Sequence, residues 1–472
     1  MRESRMQVAV VGCGYVGLVA AACFAELGHK VTSVDNDESK IAALKAGDPL
    51  IHEDYLPELI LRHQGKRLEF SSDLGSAVRQ AQIVVIAVGT PADASGEADL
   101  SFVEMATREI ARAVNGHKVI VEKSTVPVHT NAWIHRAMVF NGCSPSDFDV
   151  VSNPEFLREG TAVTDFLFPD RIIVGCRSER AARIMKDLYS PLLDGSYAQQ
   201  EDAVPAPDDA GKPLYIETSP ETSELIKHAS NAFLAMKISF INAVSTIAEN
   251  AGADIEDVRT GLGSDKRIGM GFLRAGIGYG GSCFPKDISA FRAIAQSCGC
   301  DFTLLDEVQR INEEQLKRFV SKVRKTLWTT KGKRLAVLGL AFKSGTDDIR
   351  ESPAINVIQE LLQRDCQIVA YDPAAMERTR AVLGDSISYA PDAYSAMQDA
   401  DALLILTEWK EFAALDLAMV KKLLKYPIVL DGRNLYRPKE MAAAGLNYYS
   451  IGRTPLEISN PTPDRVRIAK MN

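Results

Sequence analysis

Short apolar runs that alternate with Ala- and Leu-rich stretches at both ends of the chain predict an α/β protein. Between them a helical pattern opens at Ser219-Pro220-Glu221 and runs to about Asn250, before Gly252 stops it. There is also an internal echo, SSDLGSAVRQAQIVVIAV (71–88) against APDAYSAMQDADALLILT (390–407). Asp73, Ser76, Ala77 and Ala81 match Asp392, Ser395, Ala396 and Ala400 at a constant offset of 319. Together these predict two Rossmann-like doubly wound parallel-sheet domains joined by a long central helix and a small helical middle domain. The expected boundaries are 1–205, 214–325 and 330–450, with a tail over 451–472.

In order along the chain, Gln7 to Val11 reads as a buried strand. It leads into Gly12-Cys13-Gly14-Tyr15-Val16-Gly17 and a helix to Leu27, closed by Gly28. Lys30 to Val34 is the next strand and ends at Asp35. A G-x-G-x-x-G turn between strand and helix, with an acid about 20 residues on, is the dinucleotide fingerprint. The glycines Gly12, Gly14 and Gly17 admit a pyrophosphate to the helix N-terminus. Asp35, with Asn36 rather than arginine beside it, favours NAD over NADP. Ile83 to Val88, Lys118 to Val121 and Asp149 to Ser152 are further strands. Thr90, Thr125, Glu155 and Glu159 follow their carboxyl ends, where open parallel sheets bind ligands. Capping and turn chemistry is the ordinary use of such residues, and position alone leaves both readings open.

A Pro- and Asp-rich loop (203–213) precedes the long helix, whose 30 or so residues span roughly 45 Å and suit a spine or a dimer core. Lys227 and Asn231, four apart, share one of its faces. A helix lysine is ordinarily a solvated charge. In GIGYGGSCFPKD (276–287) Cys283 sits behind Gly280 and Gly281 and ahead of Pro285-Lys286-Asp287. The paired glycines let a ligand approach the backbone, and proline suits a first helical turn. A lone cysteine is commonly a small core filler. Here the helix start and Lys286 favour a thiolate, so Cys283 is read as a nucleophile. Further on, Arg334 to Leu338 is a strand, Ser352-Pro353 caps a helix, and Gln367 to Tyr371 is a strand ending in Asp372. Gly339-Leu340-Ala341-Phe342-Lys343 lacks the fingerprint, so no second dinucleotide is expected there. Lys343, Arg350 and Arg433 offer positive charge for a phosphorylated ligand instead.

Composition narrows the class. The 472 residues exceed one ordinary core, and 46% hydrophobic with 25% charged residues is globular. No apolar run long enough to span a bilayer is read, and MRESRMQVAVVG has no cleavable leader pattern, so a cytoplasmic protein without membrane association is expected. Eight scattered cysteines lack metal-ligand spacing, Cys298-Gly299-Cys300 included, so no metal is expected and a reducing compartment fits. A net charge of −8 argues against a nucleic-acid partner.

A nicotinamide site, a thiolate and a second nucleotide-like lobe do not suit a simple alcohol dehydrogenase. Sulfur is needed when a carbonyl must be oxidised further. Cys283 can add to an aldehyde, giving a thiohemiacetal whose hydride leaves to NAD, and the thioester is then hydrolysed. That is a four-electron oxidation.

Ordered blocks over nearly the whole length carry a family resemblance. They are VGCGYVG (11–17), GTPADASGEADLS (89–101), STVPV (124–128), NPEFLREG (153–160), ELIKHASNAFLA (224–235), GYGGSCFPKD (278–287), AFKSGTDDIRES (341–352) and DGRN (431–434). The chain resembles the UDP-glucose/GDP-mannose dehydrogenase family, and within it the glucose enzymes. The resemblance implies oxidation of UDP-glucose to UDP-glucuronate with two NAD, by a homodimer or larger homo-oligomer supplying polysaccharide or glycolipid synthesis. GDP-mannose or a UDP-N-acetylhexosamine is the alternative substrate, and a non-catalytic sugar-nucleotide sensor the alternative of another class. It further implies that Cys283 is the nucleophile and that Lys227 and Asn231 stabilise an oxyanion. Asp287 and Thr125 would hold a water for proton transfer, and Glu155 would assist thioester hydrolysis. Gly12, Gly14, Gly17, Asp35, Thr90, Thr125, Glu159, Lys286 and Arg350 match NAD-contacting positions. Glu155, Lys227, Asn231, Arg267, Phe272, Gly280, Phe342, Lys343 and Arg433 match sugar-nucleotide contacts, with Arg267 often supplied by a neighbouring subunit. One departure is His129, where the family block continues STVPVGT; it bears on loop shape.

Overall fold

The computed structural model describes residues 6–458 apart from 92 and 94–96. Part of the GTPADASGEADLS block and most of the expected tail therefore lie outside the described residues. The chain forms two compact units, Met1–Phe233 with Cys283–Leu305, and Leu234–Ser282 with Asp306–Asn472.

The first unit holds an eight-stranded sheet in the order β3-β2-β1-β4-β5-β6-β7-β8. Its strands are β1 (Gln7–Val11), β2 (Lys30–Val34), β3 (Leu68–Ser71) and β4 (Ile83–Ile86). They continue with β5 (Lys118–Glu122), β6 (Phe148–Ser152), β7 (Arg171–Gly175) and β8 (Leu214–Thr218). Order reverses between β1 and β4, the switch point where doubly wound sheets open a crevice. The expected parallel sheet has one exception: β7 meets β6 antiparallel through Ser152 and Gly175, and β8 runs parallel to β7. Along β1, Val8 and Val10 pack with Leu18 and Phe24, while Ala9 and Val11 pack with Ile110 and Met138. Both faces are covered, which is why the strand reads as an unbroken apolar run.

The second unit holds a six-stranded, all-parallel sheet in the order β11-β10-β9-β12-β13-β14. These are β9 (Arg334–Leu338), β10 (Gln367–Tyr371), β11 (Ser388–Tyr389), β12 (Ala402–Ile405), β13 (Ile428–Asp431) and β14 (Asn447–Tyr449). The sequence echo is a repeated βαβ element. Asp73 accepts the Ser76 N–H and Asp392 the Ser395 N–H, each at 2.8 Å, so both copies start their helix with the same cap.

The helices that bear on the site are α1 (Tyr15–Glu26), α2 (Thr130–Phe140), α3 (Pro220–Ala251), α4 (Phe284–Ser297), α5 (Thr303–Leu327) and α6 (Pro353–Leu362). Gly252, at φ +75°, stops α3 where the sequence placed its end. Against the expectation of no membrane-length apolar run, α3 is long and apolar enough to cross a bilayer by length and composition. Its buried face nevertheless carries Ser223, Glu224, Lys227, His228 and Asn231, the polar pattern of a helix serving a site. The expected cap at Ser352 takes another form. Its hydroxyl donates to the Leu340 carbonyl at 2.8 Å and leaves the start of α6 without a side-chain cap.

Candidate active site

The glycine turn is shaped by close backbone packing. Gly12, at φ +101°, would place a Cβ 2.6 Å from the Ala87 carbonyl oxygen, and a Cβ at Gly17 would meet the Gly12 oxygen at 1.9 Å. Any side chain at either position forces the turn open. Gly14 differs: no atom lies within 4 Å of a Cβ there, and it is the N-cap of α1 with no side chain capping the helix. The start of α1 thus offers unblocked N–H groups, with no acid in its first turn, to an anion. Asp35 accepts the Cys13 N–H at 2.8 Å and the Asp37 N–H at 3.0 Å. Its side chain stays 11% exposed, with Lys40 3.9 Å away. An open N-terminus and a partly available carboxylate fit a dinucleotide's pyrophosphate and ribose.

The nucleophile candidate lies in the same unit. Cys283 is exposed at the N-cap of α4, with Pro285 in the first turn, so it is no core filler. One turn on, Asp287 is 1% exposed and accepts the Asn231 amide at 2.5 Å. Lys286 lies 3.3 Å from Asp287 and donates to the Thr90 hydroxyl at 3.1 Å. Thr90 in turn donates to the Thr125 carbonyl at 2.8 Å. The Lys227 ammonium is 4% exposed and meets Glu155 Oε1 at 3.0 Å. Burial alone would depress this lysine. Glu155, Asp287 and Cys283 together outweigh it and hold its pKa above the usual value. Lys227 is therefore a buried cation close enough to Cys283 for its charge to be felt, and the solvated-charge reading fails. Glu155 serves both readings at once, since its other oxygen accepts the Leu157 N–H at 2.5 Å. Glu159 is half-buried and close enough to Tyr15 of the glycine turn for its charge to act there. His129 adopts φ +80° as the N-cap of α2, a left-handed conformation that suits the glycine of the family block.

In the second unit protein atoms pack closely against the Cβ side of the glycines before Cys283. A Cβ on Gly280 would lie 2.1 Å from the Glu351 oxygen, and one on Gly281 would lie 2.8 Å from the Phe342 ring. Arg433 gathers this group: its guanidinium donates to the carbonyls of Leu406 (2.8 Å), Phe342 (3.0 Å) and Gly278 (3.4 Å), and pairs with Glu408 at 3.2 Å. Lys343 lies 5.8 Å from the Phe342 ring centre. Arg350 grips Asp348 with two nitrogens, and its carbonyl accepts the Gly281 N–H at 3.0 Å. Gly280, Phe342, Lys343, Arg350 and Arg433 thus gather around one loop. Arg267, its side chain 88% exposed, pairs with Asp265 on a turn, and Phe272 holds φ +62°.

Sequence reasoning missed Lys123, at the carboxyl end of β5. It is 4% exposed and points to Asn153 Oδ1 (3.2 Å) and the Asn153 carbonyl (3.4 Å), just before Glu155. Burial lowers its pKa to about 8 against the pull of Glu155, with Lys227 adding to the decrease. It missed Glu122 and Glu224 as well. The available signals were a charged pair ending an otherwise apolar strand and an acid one turn before Lys227.

Comparison with known proteins agrees along the full length. Residues 6–193 match the NAD-binding domain of the UDP-glucose/GDP-mannose dehydrogenase family, 221–314 its central domain and 336–438 its UDP-binding domain. The chain is 46% identical to UDP-glucose 6-dehydrogenase TuaD of Bacillus subtilis, over 97% of this chain and 95% of that protein. It is 45% identical to UDP-glucose 6-dehydrogenase of Rhizobium meliloti, over 95% and 100%. A solved UDP-glucose dehydrogenase from the archaeon Pyrobaculum islandicum superposes with a TM-score of 0.85 at 38% identity, covering 96% of this chain and 99% of that one. With the glycine turn, the buried Lys227–Glu155 pair and three matched domains in order, the chain belongs to the UDP-glucose/GDP-mannose dehydrogenase family.

Proposed function

We propose that this chain oxidises UDP-glucose to UDP-glucuronate, using two NAD and one water. The observation that carries the reading is the buried Lys227 ammonium, which faces Glu155 at 3.0 Å and feels the charges of Asp287 and Cys283. Gly12, Gly14, Gly17 and Asp35 would hold NAD, with Thr90, Thr125, Glu159, Lys286 and Arg350 as further contacts. Bound NAD supplies the hydride acceptor for both oxidations. In the first, Asp287 takes the hydroxyl proton through a water shared with Thr125. The Cys283 thiolate then forms a C–S bond to the aldehyde carbon, and Lys227 and Asn231 meet the charge developing on oxygen. After the second oxidation water attacks the thioester while Glu155 takes its proton. The C–S bond breaks, Cys283 leaves as thiolate, and the carboxylate is product. Arg267, Phe272, Gly280, Phe342, Lys343 and Arg433 are the proposed contacts to the rest of the sugar nucleotide.

Incubation of the protein with NAD and each sugar nucleotide tests this. Two NADH per UDP-glucose and a UDP-glucuronate product are expected; one NADH, or turnover only with GDP-mannose or a UDP-N-acetylhexosamine, overturns the mechanism or the substrate. Cys283→Ser is expected to lower full turnover by roughly a thousandfold or more while both nucleotides still bind. A sensor without chemistry would lose nothing.

The protein is further proposed to be cytoplasmic, from its reduced-cysteine pattern, and a homo-oligomer joined through α3. On that helix Phe233, Phe240 and Ile247, at heptad spacing, are each more than half exposed. Phe240→Glu should lower the mass measured by sedimentation if this row is the interface.

A further inference from the structure

We infer that Glu122 and Glu224 share one proton and act as positioning residues, clamping the Thr125 loop to the stretch of α3 that carries Lys227 and Asn231. The inference rests on the reaction proposed above. Glu122 ends β5 three residues before Thr125, and Glu224 lies on α3 three residues before Lys227; each is 2% exposed. Their carboxyl groups are hydrogen-bonded to one another, an arrangement that needs a proton between them because two buried carboxylates repel.

The surroundings say which acid carries it. Glu224 accepts the His129 N–H at 2.7 Å on one oxygen and the Asn131 N–H at 2.8 Å on the other. Two charge-assisted bonds of this kind place the negative charge on Glu224. Glu122 Oε2 is buried and meets no hydrogen-bond donor. That is tolerable for the carbonyl oxygen of a neutral acid and costly for a carboxylate oxygen. Burial raises the pKa of both acids, and Glu224 adds to the effect on Glu122.

The clamp has mechanical content. His129 holds its left-handed conformation directly after the Thr125 loop, and Glu224 ties down the N–H groups on both sides of that strained turn. His228 Nε2 adds a bond to the Val126 carbonyl at 2.7 Å, and the Ser223 hydroxyl one to Ser152 at 3.3 Å. Residues 223, 224 and 228 thus lock the helix in rotation, and Lys227 and Asn231 are thereby aimed at Glu155 and Asp287. A displacement of about 1 Å at such groups is enough to cost up to a hundredfold in rate.

The test compares Glu224→Gln, Glu122→Gln and Glu122→Leu in the full chain. An amide at 224 offers one acceptor where two N–H donors point. Glu224→Gln is therefore expected to lower kcat with UDP-glucose roughly ten- to a hundredfold, with KM for NAD within about twofold of wild type. Exchange of the 129 and 131 amides should accelerate. Glu122→Gln keeps a donor to Glu224 and should retain most of the turnover that Glu122→Leu loses. Wild-type kcat in Glu224→Gln, or equal losses in both Glu122 variants, overturns the clamp. If the wild-type protein fails to oxidise UDP-glucose, the proposed reaction falls. Amide exchange then judges the clamp separately, and equal rates at 129 and 131 in wild type and Glu224→Gln overturn it.

Discussion

Gly12 and Gly339 hold the same place in the two sheets. Each follows the first strand of its sheet, each has a positive φ (+101° and +96°), and each donates its N–H to the last carbonyl of the next strand, Val34 at 2.7 Å and Tyr371 at 2.9 Å. The acid after that strand accepts the next N–H in both: Cys13 to Asp35 at 2.8 Å, Leu340 to Asp372 at 2.7 Å. The units diverge immediately afterwards. In the first, α1 begins at Tyr15, so its N–H groups face the turn. In the second, α6 waits until Pro353, and Asp372 fills its oxygens with N–H groups from Ala341, Ala374, Ala375 and the Trp409 ring as well. Asp372 is 1% exposed and has nothing left for a ribose. A shared strand frame does not make a dinucleotide site. Where the helix starts, and how far the acid is already satisfied, decides it.

The largest effect should come from the two acids. Asp372→Asn places an amide N–H₂ among converging donors, and a stability loss of about 3 kcal/mol is expected in denaturant unfolding. Asp35→Asn should cost little stability and weaken NAD about tenfold in a titration, the loss of one good hydrogen bond. Equal stability losses would break the contrast. Next, Gly14→Val fills the one open position in the first turn. NAD affinity should fall at least about a hundredfold, near 2.7 kcal/mol, with the melting temperature little changed. Unaltered binding would mean the cradle lies elsewhere.

Lys123 gives a smaller, pH-dependent difference. Its folded pKa of about 8 lies below the ordinary 10.5, so between those values the unfolded chain binds more protons. Stability should therefore rise with pH across that window, by up to about 1.4 kcal/mol per unit relative to Lys123→Met. Below pH 8 both states hold the proton and the slope should vanish. Parallel curves for the two proteins from pH 8 to 10.5 would place Lys123 in solvent. The smallest change is His129→Gly, which relieves a left-handed histidine and should raise stability by about 1 kcal/mol or less. A loss instead would show the imidazole making a contact that outweighs the strain.

Much of this was legible in the residues themselves. Strand frames, the glycine turn, the limits of α3 and the helix start at Cys283 are local, set by apolar runs, backbone freedom and caps within a few residues. The shared face of Lys227 and Asn231 follows from helical pitch alone. What depends on distant segments was not legible. The charged pair closing β5 is visible in the chain, but its burial is not, and neither is the partner of Glu122 on α3 about a hundred residues on. The glycines at 280 and 281 suggested close backbone approach, but that a Cβ there would meet the Glu351 carbonyl or the Phe342 ring follows only from the fold. The sequence by itself determined which chemistry each strand end could carry, because side-chain type and local spacing are written there. Only the tertiary structure decided which of those groups are desolvated against one another, because burial and long-range pairing are properties of the packed chain.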